Sequence, residues 1–505
     1  MRSTFFGLQI GYKALAAQQS ALDVTGNNIA NANTTGYSRQ IPTLVATPPY
    51  MINGMTGHKL SFGSGSAVDT VLRARDQFID RQYRWETTKQ QYWEGQRTSF
   101  SQIEGILNEP AKDSLRTDMD KFFTAWGTLA NDPENSGSKA VVQQRALALA
   151  DTFHHISQQL TDLKNNLDNN ISVEVKQIND YAQQIAQLND QIKKGEVGGA
   201  SLNDLKDKRD SIIDELSKLV NVQVIESQDP NFTDRNVGIV KIVIGDEAKT
   251  PQQVLVDDGN SYKLNDYVKG ADPGVVTWAT GPAAGQTLEF GDKLGMLQSN
   301  LDMRNNDLPE FMKDFDTLAN KFAEAVNTIY KDAFTAAEQG DGTHDGGQFF
   351  TSSSGGTITA ANITIAPTIN ADSSNIRAGL PSTPPNPQDG TLAKEISSLL
   401  TGWTTRTSAF ASDTNLAGAK SIEDFYGTMV ATLGVKSQTA TRMKSGQDVL
   451  VNSMYNQREQ VSGVSLDEEM TNLMRFQKSY AAAARVVTMM DDLLDKVVNG
   501  MGVTR

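Results

Sequence analysis

Few side chains in this sequence have the spacing that catalysis or metal binding requires. Of the four histidines, His154 and His155 are adjacent on a predicted helix. They therefore point to different faces and cannot share a metal ion as an i, i+4 pair does. His58 and His344 stand alone in predicted loops. We predict no histidine metal site.

One acidic loop resembles a calcium-binding loop only weakly. It begins at Asp341 and continues to Gly346. An EF-hand requires an oxygen ligand of suitable type at position 3 and a bidentate glutamate at position 12. Those positions hold Thr343 and Ser352. We predict a solvated turn without bound calcium.

The sequence also lacks the short motifs of phosphate-binding loops, dinucleotide-binding turns and nucleophile elbows. The acidic pairs Glu468-Glu469 and Asp491-Asp492 fall on predicted helices, where they act as caps or solvated faces. Carboxylates are so numerous that a glycosidase-like pair stays possible from the sequence alone. We predict a protein that is not an enzyme and binds no cofactor.

Composition narrows the class of protein further. The chain has 505 residues, 38% of them hydrophobic and 21% charged, and a formal net charge of −14. An acidic chain is a poor ligand for nucleic acid or for an anionic membrane surface. No run of 18 apolar residues predicts a membrane span. The absence of cysteine excludes disulfides, a cysteine nucleophile and thiolate metal sites.

The first ten residues contain one arginine and only a brief apolar stretch. A secretory signal peptide has a longer apolar region. We therefore expect a protein that either stays inside the cell or leaves by a route without a cleaved signal.

The beginning of the chain predicts a helix, from about residue 3 to 32, that carries few charges. A low-charge helix requires neighbours on several sides. Apolar or small residues recur at alternating spacings of four and three, the narrow seam of a coiled coil. The seam consists of Leu8, Tyr12, Leu15, Gln19, Leu22, Gly26 and Ile29.

Four asparagines crowd the end of this helix. They are Asn27, Asn28, Asn31 and Asn33, and Gly36 follows as a candidate left-handed cap. Such a cluster favours specific polar contacts over simple solvation. We expect Asn27 and Asn28 to share an assembly contact with the seam.

The end of the chain predicts a second long helix. Ser465 and Glu468 have the spacing of a capping box, and Asn499-Gly500 is a candidate terminus. A seam follows, broken only at Glu469. The seam consists of Leu466, Leu473, Phe476, Tyr480, Ala483, Val487, Met490, Leu494 and Val497. Paired terminal helices that close a discontinuous domain favour an assembling part over a catalyst.

The middle of the chain predicts mainly helices with β-rich insertions. Helical apolar spacing runs from Phe153 to Leu167 and resumes at Ile171 after a four-residue step, a stutter that locally unwinds a coiled coil. A helix over 203–219 is expected antiparallel to it. Further helices are expected over 292–337, after 392 and over 421–460. Strands are expected near 222–224, 239–244, 254–256 and 261–264, with a hairpin turn at Asp258-Gly259, and β structure over 356–369.

We therefore predict a mainly α, multidomain α+β protein with four parts. They are a coiled-coil inner domain (1–40 plus 465–505), a mostly helical middle domain (41–221 plus 291–337 plus 392–464), a β-rich insertion (222–290) and a β and loop insertion (338–391).

The two terminal motifs resemble a known family. Residues 22–40, LDVTGNNIANANTTGYSRQ, are similar to the N-terminal motif of bacterial flagellar rod, hook and hook-associated proteins. Residues 462–480, SGVSLDEEMTNLMRFQKSY, narrow the resemblance to the hook-associated protein 1 family at the hook–filament junction. Residues 122–134, 184–192, 203–210 and 360–369 are similar to further segments of that family.

The resemblance implies an arrangement and a role. In this family the terminal helices pair in an inner domain, a helical domain surrounds it, and β-rich insertions form the outside. Copies form a ring-like layer between the hook protein and a second junction protein next to the filament, and adapt the bendable hook to the stiffer filament. The resemblance also implies export by the flagellar type III apparatus, which places the protein outside the cell, and an export chaperone that binds about residues 465–500.

Three alternatives stay open from the sequence. A distal-rod or hook subunit shares the N-terminal motif, but such subunits usually lack a long helical region like that at 138–220. A surface adhesin could use the insertions within 222–390. An enzyme hidden in an insertion is possible in principle, although these insertions are short and poor in histidine.

Overall fold

A computed structural model describes residues 5–498 except 54–58, 109–113, 201, 233–236, 246–248, 292, 341–343, 383, 385 and 417. The α-helices are α1 Phe6–Ala30, α2 Gln77–Leu107, α3 Leu115–Asn131, α4 Ser136–Val197, α5 Asn203–Leu219, α6 Met296–Asp302, α7 Leu308–Tyr330, α8 Ala336–Gln339, α9 Pro367–Ala371, α10 Thr391–Ser398, α11 Ile422–Ser462 and α12 Leu466–Val498. The strands are β1 Gln40–Ala46, β2 Tyr50–Asn53, β3 Lys59–Phe62, β4 Ser66–Arg73, β5 Val222–Gln228, β6 Gly238–Ile244, β7 Val254–Asp257, β8 Asn260–Ser261, β9 Phe350–Ser352 and β10 Ile363–Ile365. The chain is therefore mainly helical, as predicted.

Polar side chains cap the N-terminal ends of the long helices. Asp76 accepts hydrogen bonds from the first turn of α2, and Ser421 accepts one from the N–H of Asp424 in α11. Ser465 Oγ accepts the N–H of Glu468 at 3.5 Å, as the predicted capping box requires. The Glu468 carboxylate, however, binds Arg39 at 2.6 Å. Glu468 therefore connects the two ends of the chain.

Three local predictions differ from the structure. Gly36 has a positive φ of 82° but lies in the following turn, six residues after α1 ends. Within 356–369 only β10 is a strand, because Pro367 begins the short helix α9. The helix predicted over 292–337 begins at Met296 and contains a π-helical turn at Met303–Asp307. The terminus predicted at 499–500 lies outside the described residues.

The small sheets are antiparallel. β5, β6, β7 and β8 form a four-stranded meander in that order, and Asp258 adopts a φ of +53° in the predicted β7–β8 hairpin turn. β1 pairs with β4 in a two-stranded ribbon, with Ile41 opposite Leu72. The ribbon lies along α1, so the terminal helix has β structure on one side and α12 on another.

The largest hydrophobic core, called the first core, joins α3, the first part of α4, α7, α10 and the start of α11. Its centre is aromatic, with the ring centroids of Phe122 and Phe322 5.4 Å apart and those of Trp126 and Phe349 5.2 Å apart. Such edge and tilted contacts stabilise more than buried area alone. The first core is therefore the most firmly packed part of the middle of the chain.

The second core lies between the four-stranded sheet and the later part of α4. Ile178 and Ile185 of α4 and Ile242 of β6 are fully buried there, together with Leu216 of α5. Lys206 of α5 pairs with Glu196 of α4 at 2.5 Å, and Arg209 reaches Asn189 at 3.3 Å. These contacts confirm the predicted antiparallel arrangement of the two helices.

The division into domains stays a prediction, and the packing favours other boundaries for the insertions. Phe349, Phe350 and Ile363 of the predicted 338–391 insertion are fully buried in the first core. We propose that this segment belongs to the helical middle domain. The 222–290 sheet shares its core with α4 and α5, so we propose that these helices are its floor.

Candidate assembly interface

The two terminal helices pack against each other, and α1 contacts α12 through small residues. Gly11, Ala17 and Ala21 of α1 are buried, as are Thr25 and Asn28. A Cβ atom at Gly11 would lie 2.7 Å from Val487 Cγ2, and one at Gly7 would lie 2.9 Å from Met490 Sδ. A side chain at Gly11 would therefore collide with Val487 next to the α12 backbone, whereas one at Gly7 would displace only the flexible end of Met490.

The predicted seam of α1 is displaced by one residue from the face that meets α12. Along most of the helix the contact face has the predicted 4-3 spacing, but each of its members precedes a predicted one. The members that are buried or lie close to α12 are Gly7, Gly11, Ala21, Thr25 and Asn28. Apolar periodicity gives glycine and alanine little weight, although small residues permit the closest helix approach, so it did not identify this face. The assembly role of the predicted seam stays a prediction.

The larger predicted residues form a neighbouring stripe that stays partly open. Leu8, Leu15, Leu22 and Ile29 are half-buried, and Tyr12 is 71% exposed. Asn27 is exposed, whereas Asn28 is buried. The chain itself therefore covers this apolar stripe only in part.

Most residues of the predicted α12 seam are buried or half-buried. Phe476 is buried, and Leu473, Ala483, Val487, Met490 and Leu494 are half-buried. Two predicted members face solvent, since Leu466 is 51% and Tyr480 38% exposed. The side chain of Val497 lies outside the described residues.

α12 also exposes apolar side chains that the seam prediction missed. They are Met470, Met474, Val486, Met489 and Leu493, each 41–60% exposed. Their spacing along the helix would have revealed a second apolar face. Two apolar faces on one helix, only one of which meets α1, leave a surface free for partners.

A side-chain amide fixes the end of α1 to the chain that leaves it. Asn28 Oδ1 accepts the N–H of Gln40 at 2.9 Å and the hydroxyl of Tyr37 at 2.8 Å. Its Nδ2 donates to the carbonyl of Gln40 at 2.9 Å and to Glu469 Oε2 at 3.1 Å. The amide thus satisfies both backbone groups of Gln40 and reaches α12.

Glu469 interrupts the α12 seam because it closes an ion pair with the other terminus. It is 2% exposed, and its Oε1 lies 2.8 Å from Arg39 Nε. The backbone N–H of Arg39 also donates to the carbonyl of Ser462 at 2.9 Å, where α11 ends. We call Asn28, Arg39 and Glu469 the terminal lock, since they join the C-terminal end of α1 and the chain after it to the N-terminal end of α12.

Tyr37 keeps its proton within this lock. Burial, together with the carboxylates of Asp204, Asp207 and Glu469, raises the pKa of its hydroxyl to about 12. The hydroxyl therefore stays a hydrogen-bond donor to Asn28 at neutral pH. The aromatic residue of the N-terminal motif is thus part of the polar contact.

A buried network of arginines and aspartates lies next to the lock. Asp207 accepts the N–H of Ser38 at 2.9 Å and pairs with Arg73 at 2.8 Å. Arg73 also pairs with Asp210 at 2.7 Å. Burial alone would raise the pKa of Asp210, but the surrounding guanidinium groups lower it well below its usual value. The carboxylate therefore stays charged.

The same network reaches the long helices. Arg84 of α2 and Arg458 of α11 both bind Asp214 of α5, at 2.6 and 2.7 Å. Arg458 also lies over the ring of Tyr83, 4.0 Å from its centroid. Removing one partner of such a buried pair costs far more than a surface pair is worth. The network therefore joins α2, α5 and α11 next to the terminal lock.

The residues considered for chemistry lie apart from one another. His154 Nε2 is 2.8 Å from the carbonyl of Ile363, and Asp345 accepts the N–H of Thr368. Across the described part of the chain no three histidine or acidic side chains are arranged to hold a metal ion. No helix that the structure describes is long and apolar enough to cross a membrane. His58 and residues 341–343 of the acidic loop lie outside the described residues.

The close contact of α1 and α12 gives a direct prediction. Gly11→Leu should separate the helices and raise amide hydrogen exchange in α12 about tenfold or more, since backbone contact is lost over several turns. Gly26→Ala is the control, because no atom lies within 4 Å of its added Cβ. Alanine there should stabilise α1 by ~0.5–1 kcal/mol. Unchanged exchange in Gly11→Leu would contradict the contact.

Sequence profiles of three families match the chain. The "Flagellar hook-associated protein FlgK helical domain" matches residues 100–350. The "Flagella basal body rod protein" family matches residues 8–37, and the "Flagellar basal body rod FlgEFG protein C-terminal" family matches residues 456–500. These two matches include most of α1 and all of α12, with Asn28 and Glu469 of the lock, whereas Arg39 lies two residues beyond the first match.

A solved structure, that of the flagellar hook junction protein FlgK from Burkholderia pseudomallei, has a similar fold. The TM-score is 0.57 and the sequence identity 17%, over 76% of this chain and 100% of that one. At this identity the likeness concerns the fold alone.

Curated relatives match over nearly the whole length. "Flagellar hook-associated protein 1" of Escherichia coli (strain K12) is 29% identical, over 96% of this chain and 98% of that protein. The protein of the same name from Bacillus subtilis (strain 168) is 34% identical, over 100% of this chain and 99% of that protein. With motifs, fold and full-length similarity in agreement, the chain belongs to the flagellar hook-associated protein 1 family of structural proteins.

Proposed function

We propose that this chain is a structural subunit of the layer that joins the flagellar hook to the filament. In that layer it acts as a mechanical adaptor on which the filament assembles. The observation that carries the proposal is the terminal helix pair, whose α1 stripe and second α12 face stay open in the single chain. A part that assembles needs such surfaces, whereas a free globular protein would bury them.

The proposed partners follow from these surfaces. Other copies of the chain cover the stripe of Leu8, Tyr12, Leu15, Leu22 and Ile29, the second face of α12, and the parts of the α12 seam that α1 leaves exposed. Copies form a ring-like layer, with the hook protein on one side and the second junction protein on the other. The terminal lock supports this arrangement, because it joins α1 and α12 within each copy.

The route to the assembly site is also proposed. The chain leaves the cell through the flagellar type III export apparatus without a cleaved signal, and an export chaperone binds about residues 465–500. The exposed methionines of α12 support this, since flexible methionine-rich faces adapt to different partners. The chaperone would cover this face before assembly, and neighbouring copies would cover it afterwards.

The proposal assigns the chain no catalytic step, cofactor, nucleic acid or membrane insertion. Its net charge of −14 is unfavourable for nucleic acid and anionic lipid. Mechanical work is instead assigned to the packed cores and the ionic network.

Electron microscopy of cells that lack this gene, with an assay for flagellin in the medium, tests the proposal. We expect bare hooks and monomeric flagellin in the medium, since the filament has no base on which to polymerise. Restoring the gene should restore filaments. Missing hooks would place the chain in the rod or hook instead, and normal filaments would favour a surface role for residues 222–390.

A further inference from the structure

The two hydrophobic cores meet where α4, and the segment from α6 into the π-helical turn, pass from one core to the other. Along α4 the first core ends with Leu167 and the second begins with Ile171. Leu301 at the end of α6 belongs to the second core, whereas Met303 in the π-helical turn belongs to the first. The apolar packing of both helices is therefore interrupted within a few residues of the same place.

Polar side chains fill this level, which we call the joint. The Asp168 carboxylate accepts hydrogen bonds from Arg304 Nε at 2.9 Å, the Tyr267 hydroxyl at 2.7 Å and the N–H of Gly270 at 3.0 Å. Burial alone would raise the pKa of Asp168, but these three donors lower it below its usual value. Asp168 is therefore a charged carboxylate with partners on every side.

Glu174 lies about a turn and a half further along α4. Its surroundings, unlike those of Asp168, do not stabilise a charged carboxylate. It is 8% exposed, and Asn300 Nδ2 donates to its Oε1 at 2.7 Å. Its Oε2 is buried with no hydrogen-bond partner among the described residues. Burial raises the pKa of Glu174 to about 8, and the Asn300 hydrogen bond lowers it only in part.

The other ionisable groups of the joint are already engaged. On the same helix Asp168 is paired with Arg304 from the π-helical turn, and Asp302 of α6 accepts the hydroxyl of Tyr92 from α2. From the loop of the β-rich segment, Tyr267 donates to Asp168. An ionised Glu174 therefore has one amide donor. Arg304 Nη2 is buried without a hydrogen-bond partner among the described residues, but this guanidinium is already paired through Nε and Nη1 with Asp168 and Asp272.

We propose that Glu174 makes the joint sensitive to pH: the joint is closed while this carboxyl is neutral, and opens locally when the carboxyl reaches water and ionises. This device goes beyond the structural role proposed above and does not depend on it. Opening would loosen the second core where α4 and α6 meet, beside its boundary with the first core, while the first core keeps its packing.

The direction of the pH effect follows from the two states of the carboxyl. In the open joint Glu174 is hydrated and has an ordinary pKa near 4.5, whereas in the closed joint it holds its proton up to about pH 8. Between these values the open state has lost a proton that the closed state keeps. Raising the pH by one unit in this window should increase the opening constant up to tenfold, with no further change above about pH 8.

Hydrogen–deuterium exchange from pH 5 to 9, corrected for intrinsic amide rates, tests the proposal on the full-length chain. Protection of peptides within 171–178 and 296–302 should fall by up to tenfold per pH unit up to about pH 8. Glu174→Gln, a neutral side chain of the same shape, should abolish this dependence. Asp162→Asn, an exposed acid on the same helix, is the control and should keep it.

Three results would overturn the proposal. The first is wild-type protection that does not change with pH, and the second is the same dependence in Glu174→Gln. The third is protection in the joint as high as in α3, which would mean that the joint opens only when the whole chain unfolds. Far-UV circular dichroism of each variant establishes that it is folded.

Discussion

Leu473→Asp should abolish incorporation of the chain into the flagellum while leaving the middle of the chain folded. Leu473 is half-buried in the α12 seam, one turn before the buried Phe476. A carboxylate placed in such an apolar contact costs ~3 kcal/mol when it finds no partner. We expect the open side of Leu473 to contact a neighbouring copy in the layer, so this cost lowers each association constant about a hundredfold, and the loss recurs at every copy.

Thr471→Asp is the matched control, because it adds the same charge to the same helix. Thr471 is exposed and lies nearly opposite Leu473 on α12, since two residues turn a helix by about 200°. Both variants are expressed in cells that lack the gene, and filaments are counted by electron microscopy. Only Leu473→Asp should leave bare hooks.

Folding and assembly must be separated in this experiment. Hydrogen exchange in the first core, for example in α3, should be the same in both variants and in the wild type, because α12 contributes no residue to that core. Normal filaments with Leu473→Asp would disprove the seam assignment. Equal loss with Thr471→Asp would show that the effect is one of added charge and does not depend on the face.

Much of the helical framework could be predicted because its signals are local. α5 has the predicted bounds, and the four-residue step between Leu167 and Ile171 coincides with the boundary between the two cores. Caps such as Ser421 and turns such as Asp258-Gly259 require only a few neighbouring residues. Local chemistry therefore fixed the type and approximate extent of most long elements.

Contacts between distant segments could not be predicted in the same way. The contact face of α1 is lined by Gly7, Gly11 and Ala21, whose role depends on how closely α12 approaches. Arg304 is fully buried in a π-helical turn because Asp168, 136 residues earlier, receives its guanidinium group. Such pairs depend on the whole fold, and one sequence gives no local sign of them.

Glu469 shows how an apparent irregularity can mark a functional contact. In the sequence it only interrupts an apolar seam. In the structure the interruption is the point at which the last helix is joined to Asn28 and Arg39 of the first motif. A charged residue inside an apolar seam would thus have indicated a partner of opposite charge elsewhere in the chain. Arg39 is one of the few charged residues among the first 40.

Glu469→Ala should therefore loosen the contact between the start of α12 and the end of α1. The substitution leaves Arg39 Nε and Asn28 Nδ2 without one of their acceptors in a largely buried site. Breaking a buried pair in this way costs about 3–5 kcal/mol, and the partial exposure of Arg39 reduces the expected loss to ~2–3 kcal/mol. Exchange of the amides of α1 and the first turns of α12 should rise about thirtyfold or more.

Glu468→Ala is the control, since Glu468 is the next residue and pairs with the same arginine. Its side chain is 62% exposed, so losing this pair should cost no more than ~1 kcal/mol. The double variant Arg39→Met with Glu469→Leu should recover part of the loss, because an apolar pair leaves neither charge unpaired. If Glu468→Ala loosened the helices as much as Glu469→Ala, the lock would be a general electrostatic attraction between the termini. If neither did, packing of α1 against α12 alone would hold the helices, and the polar contacts would only set their direction.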